Sequence, residues 1–335
     1  MAVPQIDVAR ARTFVLAHGR AVDVARLEGL FGRTAPDPAV VQGLEQLQNP
    51  DGGFPRGLAV GGFPLTALGS GLGATGGTGA DVPRSDGPAG GPAADAAGAR
   101  AEGPSSVAAT CAVLAWLRDI PPLAGSPMAS RAVSYLRRQQ RVDGAWAEGA
   151  CARTASPGPG AAGPGDEPTA CDVEEAPLPP LGITAMAAYT LLVMDPAHED
   201  PIARAARWLR DALAGGAEGE TAGPAAADAA VTTAGAATLA LAAAVWRRVH
   251  VAGVPDRVWV YSPGAGRDAS AGELCAVLTP LAELGLRAGD FLVALRCLEA
   301  LAGMQQGEGG WPAEDGRAVA ATLDALRVFR AFGLA

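Results

Sequence analysis

The chain has 335 residues, 49% of them hydrophobic, which is enough apolar material for a folded core and excludes a disordered polymer. Its 26 basic against 35 acidic residues give a net charge of −9, and without a basic footprint DNA and RNA are poor partners. The cysteines, Cys111, Cys151, Cys171, Cys275 and Cys297, are odd in number with no Cys-x-x-Cys pair, so the expected compartment is a reducing cytoplasm.

Taken in chain order, helical periodicity predicts helices over 6–17, 21–32, 37–48, 105–118, 126–140, 181–194, 201–213, 226–248, 271–285, 289–304 and 317–332, and period-2 strand patterns are nearly absent. The first stretch carries Asp7, Arg10, Arg12 and His18 among its apolar positions and lacks the unbroken apolar run of a signal peptide. In the third, Val41, Leu44 and Leu47 form one apolar stripe with Gln42, Glu45 and Gln46 opposite. Val107 to Leu117 and Ile183 to Met194 are instead apolar nearly all round, as helices enclosed on both sides must be. Alternation of the two kinds implies two concentric layers. Ala229 to Trp246 has the length of a membrane span without charge, but it is mostly alanine and reads as a buried helix, leaving at most peripheral membrane contact. Residues 59–104 and 149–170 are rich in Gly, Ala and Pro and read as flexible inserts within one domain spanning 1–335. The Gly71-Leu72-Gly73-Ala74-Thr75-Gly76 run has no strand before it, so no dinucleotide site is expected there.

Three tracts repeat one pattern. Gln48-Asn49-Pro50-Asp51-Gly52-Gly53-Phe54, Gln140-Arg141-Val142-Asp143-Gly144-Ala145-Trp146 and Gln305-Gln306-Gly307-Glu308-Gly309-Gly310-Trp311 each follow a predicted helix. Each reads Gln, two spacers, an acid, Gly, a small residue and an aromatic. The acid and glycine can close a tight turn, the glutamine amide can tie exposed backbone groups at neighbouring helix ends, and the aromatic can pack on the next repeat. These residues are therefore expected to be scaffold.

The pattern resembles the repeat signature of the prenyltransferase and squalene-cyclase superfamily, and the matches extend over most of the chain. The resemblance implies an all-α fold, an α/α toroid of about six helical hairpins, with an apolar interior suited to an isoprenoid or other hydrophobic small molecule. In the class II terpene cyclases an Asp-x-Asp-Asp motif supplies the acid that protonates an alkene or epoxide, a step demanding a desolvated carboxyl kept protonated. Asp172-Val173-Glu174-Glu175 is the nearest match, with Glu174 where the family has its donor aspartate. By resemblance, Asp172, Glu174 and Glu175 are the catalytic candidates of a cyclase-like isomerase or lyase. A solvated acidic loop is the competing reading of the same residues. Thr110, Cys111 and Trp116, on the helix opened by Ser105 and Ser106, are candidates for facing the bound molecule.

Known cyclases of this type pair the toroid with a second helical domain, so a partner protein or domain could complete the cavity. Prenyltransferase β-subunits bind zinc through Asp-x-Cys and a later His. Here Cys171-Asp172 is reversed, Glu273-Leu274-Cys275 is the closest acid-x-Cys, and no His follows His250. His18, His198 and His250 have no metal-ligand spacing, so neither a metal nor another cofactor is expected. A non-catalytic toroid that binds a lipid or a partner protein is the alternative function.

Overall fold

The computed structural model describes residues 4–32, 35–56, 103–147, 181–214, 235–250, 269–283, 292–313 and 317–335. These form twelve helices: α1 Val8–His18, α2 Ala21–Leu30, α3 Pro38–Leu47, α4 Val107–Asp119, α5 Pro121–Ala124, α6 Pro127–Gln139, α7 Leu181–Met194, α8 Glu199–Leu213, α9 Ala236–Val249, α10 Ala271–Glu283, α11 Leu292–Gly303 and α12 Ala318–Ala331. The all-α expectation holds, and the predicted helices are present with shifted ends. Positions 226–234 of the helix predicted at α9 lie outside the described residues. Periodicity missed α5, a single turn that Pro121 and Pro122 start after Ile120. It also missed a two-residue antiparallel pairing of Phe54–Pro55 with Ser105–Ser106. Neither is long enough to generate a periodic signal.

Local chemistry sets the helix starts. Asp37 accepts a hydrogen bond from Ala39 N with Pro38 at the first helical position of α3, and Ser126 accepts one from Ala129 N ahead of Pro127 in α6. Ser106 caps α4 by accepting from Ala109 N, while Ser105 turns to Asp51. No described helix is long and apolar enough to cross a membrane.

Burial separates two kinds of helix. α6 buries Met128, Ala129, Ala132, Val133, Tyr135 and Leu136, and α8 buries Ile202, Ala205, Ala206, Leu209 and Leu213, one stripe each. α4, α7 and α12 are covered nearly all round: every residue from Gly182 to Leu191 and from Ala320 to Phe329 is buried. The enclosed helices touch in chain order, α2 to α4, α4 to α7, α7 to α9, α9 to α10 and α10 to α12. Contact then returns from α12 to α2, and α1 packs against both α12 and α2. The remaining amphipathic helices lie against this circuit: α3 on α2, α6 between α4 and α7, α8 between α7 and α9, and α11 on α10.

The three repeated tracts are the stitches. In the first, Gln48 Nε2 donates to Gly52 O (2.9 Å) and to Met128 O (3.0 Å) at the start of α6. In the second, Gln140 Nε2 donates to Gly144 O (3.0 Å) and to Pro201 O (2.8 Å) in the first turn of α8. In the third, Gln305 Nε2 donates to Gly309 O (3.0 Å) and to Asp7 O (2.9 Å), just ahead of α1. Gly52, Gly144 and Gly309 have φ of +88°, +99° and +101°, and a Cβ on each would meet the carbonyl oxygen of Arg131, Arg204 or Arg10 at 2.7 Å or less. Each tract's aromatic then donates its backbone N–H to a threonine near the start of an enclosed helix: Phe54 to Thr110, Trp146 to Thr184 and Trp311 to Thr322, at 3.0 to 3.1 Å. The third stitch thus joins the turn after α11 to the residues ahead of α1 through the same pair of glutamine Nε2 bonds that the other two use between neighbours.

Candidate functional site

Where α12 returns to α2 and α4, four charged side chains are buried together. Arg26 from the middle of α2 is 0% exposed. Its Nε donates to Asp119 Oδ2 at the end of α4 (2.9 Å), and its Nη2 donates to Asp324 Oδ1 in α12 (3.1 Å). Arg327, one turn beyond Asp324, donates from Nη2 to Asp119 and lies 3.7 Å from Asp324 Oδ1. Two guanidinium nitrogens of this cluster, Arg26 Nη1 and Arg327 Nε, have no hydrogen-bond partner among the described residues. The Arg26 guanidinium also lies 5.7 Å from the ring of Trp116.

The two carboxyls differ. Burial opposes ionisation of Asp119, but Arg327 and Arg26 outweigh it and hold its carboxyl below the usual range. Burial dominates at Asp324, and its carboxyl is raised although Arg327 and Arg26 pull the other way, with Asp119 adding to the rise. Arg327, facing both, is held more firmly protonated than usual against its burial. The Cys275 thiol is pushed well up by burial and by Asp324, and the Cys297 thiol up to about 11 by burial, so neither is a ready nucleophile.

A cavity of about 340 Å³ opens beside the cluster. Its polar wall is Arg118, Asp119, Arg327, Arg330 and Thr279, and Leu30 and Val328 are among its apolar lining. It sits at the C-terminal ends of α2, α4 and α12, whereas the stitches gather at the N-terminal ends of α4, α7 and α12.

The residues expected from sequence fall as follows. Asp172, Glu174 and Glu175 lie outside the described residues, as do positions 59–102 and 149–170 of the two inserts. Thr110 is 0% exposed; its hydroxyl donates to Ser106 O (2.7 Å) and accepts from Phe54 N, so its polar capacity serves the first stitch. Cys111, also 0% exposed, is packed in the core. Trp116 is 4% exposed with the Arg20 and Arg26 guanidiniums 5.9 and 5.7 Å from its ring centre, and its Nε1 has no partner among the described residues. Only Trp116 of the three touches the charged cluster. His18 bonds to Phe14 O, His198 to Asp195, and His250 ends α9 in the left-handed conformation. Among the described residues no group of three His, Cys, Asp or Glu side chains is placed to hold a metal.

Sequence reading missed Arg26, Asp119, Asp324 and Arg327. Signals existed: Arg26 interrupts the apolar run Val24, Ala25, Leu27, and Asp119 stands at a helix C-terminus, where a negative charge is disfavoured unless something compensates it. No protein-family model matches this chain, and no curated protein matches it.

Proposed function

We propose that the chain is an α/α toroid whose inner layer is α2, α4, α7, α9, α10 and α12, and that it handles an isoprenoid or similar hydrophobic molecule. The observation that carries the toroid is the third stitch, which places Asp7 against Gln305 as Met128 is placed against Gln48. The closed circuit of enclosed helices supports the same reading. The isoprenoid rests on resemblance of the repeated tracts to the prenyltransferase and squalene-cyclase superfamily. Under this reading a cyclisation would be started by Asp172, Glu174 or Glu175.

A second reading, a toroid that binds without catalysis, is favoured by one observation. Asp119 and Asp324 are each bound to a guanidinium, so neither is an unengaged acid for protonating an alkene. Incubation with linear polyprenyl diphosphates and squalene, with and without magnesium, separates the two by mass spectrometry of the extracts. A cyclised product that disappears in Glu174→Gln supports the cyclase. Binding without any product supports the second reading, and neither binding nor product from a folded sample refutes the isoprenoid.

A further inference from the structure

We infer that the circuit of enclosed helices opens where α12 meets α2 and α4, pivoting where α9 meets α10, with the buried charge cluster as its latch. Among the described residues the buried apolar side chains form two clusters, not one. The first takes α3 to α9 with Ala25 of α2, and the second takes α1 and α10 to α12 with Leu27 and Leu30 of α2. At the α9 junction the side chains that cross are small: Ala240 of α9 sits in the second cluster, and Ala276 of α10 packs against the first. Alanines interlock little across a boundary, so one body can turn on the other there. This motion follows from the circuit of contacts and is independent of the isoprenoid reading.

At the opposite junction the bonds are charged. Arg26 and Asp119 stand on one side and Asp324 and Arg327 on the other, and each side holds its own ion pair, at 2.9 Å and 3.7 Å. The bonds that cross join Arg26 to Asp324 and Arg327 to Asp119. When the junction parts, each arginine keeps a carboxylate and the freed atoms gain water. The strong penalty for a buried unpaired ion therefore does not oppose this motion. Loss of the packing of Leu27 and Leu30 in the second cluster does oppose it, which makes the closed form the resting state. The cavity of about 340 Å³ already divides the two sides, with Gly29 and Arg118 in one wall and Thr279 and Val328 in the other. α1 limits the amplitude, because Gln305 ties its start to the second body while Gly19 and Arg20 join its end to α2.

The test is native-state thiol labelling of the full chain with methyl methanethiosulfonate over a series of sub-denaturing urea concentrations, read at each cysteine by peptide mass spectrometry. Two buried thiols report. Cys275 of α10 borders the latch, where the charge of Asp324 adds to burial in pushing its thiol up, and Cys111 of α4 lies within the first cluster. Opening at the latch exposes Cys275 without Cys111, so in the wild type Cys275 should label faster and with the weaker urea dependence. Leu30→Ala removes packing that the opening also breaks and should speed Cys275 about tenfold or more. Leu209→Ala, in α8 inside the first cluster, should speed Cys111 through global unfolding and leave Cys275 unchanged. Labelling of both thiols together, with the urea dependence of global unfolding, overturns the proposal. So does a Cys275 rate that Leu30→Ala leaves unchanged or that Leu209→Ala raises equally.

Discussion

The two ends of the enclosed helices are held by opposite means. At their N-terminal ends a glutamine, a left-handed glycine and a threonine recur three times, neutral groups bonded mainly to backbone, with Gln48 and Gln140 also accepting from the exposed Arg131 and Arg204. At the C-terminal ends of α2 and α4, where α12 returns, the arrangement is charged and occurs once among the described residues, with Arg26 and Arg327 shared between Asp119 and Asp324. Neutral side chain to backbone bonds carry little desolvation cost, so they can be copied wherever the fold repeats. A buried ion cluster is weak as a source of stability but strongly penalises any arrangement that leaves one member unpaired. The stitches therefore set spacing between neighbours, and the cluster fixes which helices meet.

Asp119→Ala should be the most damaging single change, because it leaves two arginines in the core, Arg26 and Arg327, to share the one carboxylate of Asp324. A loss of about 3–5 kcal/mol is expected from chemical denaturation, and a loss below about 1 kcal/mol would remove the contrast with the stitches. Next comes Gly144→Ala, where φ is +99° and the new Cβ would lie 2.7 Å from Arg204 O. It should cost about 2 kcal/mol or more, whereas Gly303→Ala, with open space around it, should stay within about 0.5 kcal/mol. Gln305→Ala and Gln140→Ala should each cost about 1–2 kcal/mol. Equal losses identify the third turn as a stitch like the others, and a neutral Gln305→Ala beside a costly Gln140→Ala would break that equivalence.

The smallest effect separates the two carboxyls. Asp119 is depressed, so its contribution is complete above the unfolded-state value near about 4 and is lost as pH falls through its lower folded value. Asp324 is raised, so its contribution is complete below about pH 4 and is lost as pH rises through its folded value. Asp324→Asn mimics the protonated acid and should cost about 1 kcal/mol or less near neutrality while removing the decline above pH 4. Asp119→Asn should instead flatten the acid limb. Denaturation midpoints between pH 3 and pH 8 distinguish these outcomes, and identical profiles for the two variants would overturn the assignment.

What could be read in advance followed from distance along the chain. Gln140, Asp143, Gly144 and Trp146 act on one another within a few residues, so their spacing was visible and their structural role followed. The enclosed character of α4 and α7 was likewise written in continuous apolar runs. Thr110, near the start of a helix apolar all round, carries a hydroxyl that sequence alone points toward a cavity, whereas its acceptor role toward Phe54 N depends on a residue 56 positions away. Arg26 and its carboxylates are separated by 93 and 298 positions, beyond any local pattern. Their sign was only that single charges interrupt otherwise apolar helices.

The bonds between Asp7 and Gln305 span 298 positions, and α1 rests on α12. During synthesis α1 must therefore wait, with part of its Ala11, Phe14 and Val15 face uncovered, until α12 has emerged. A ribosome-bound chain stalled before α12 would present that apolar face, and an Arg26 still lacking Asp324, to chaperones, so the geometry that closes the molecule also makes its nascent form dependent on protection.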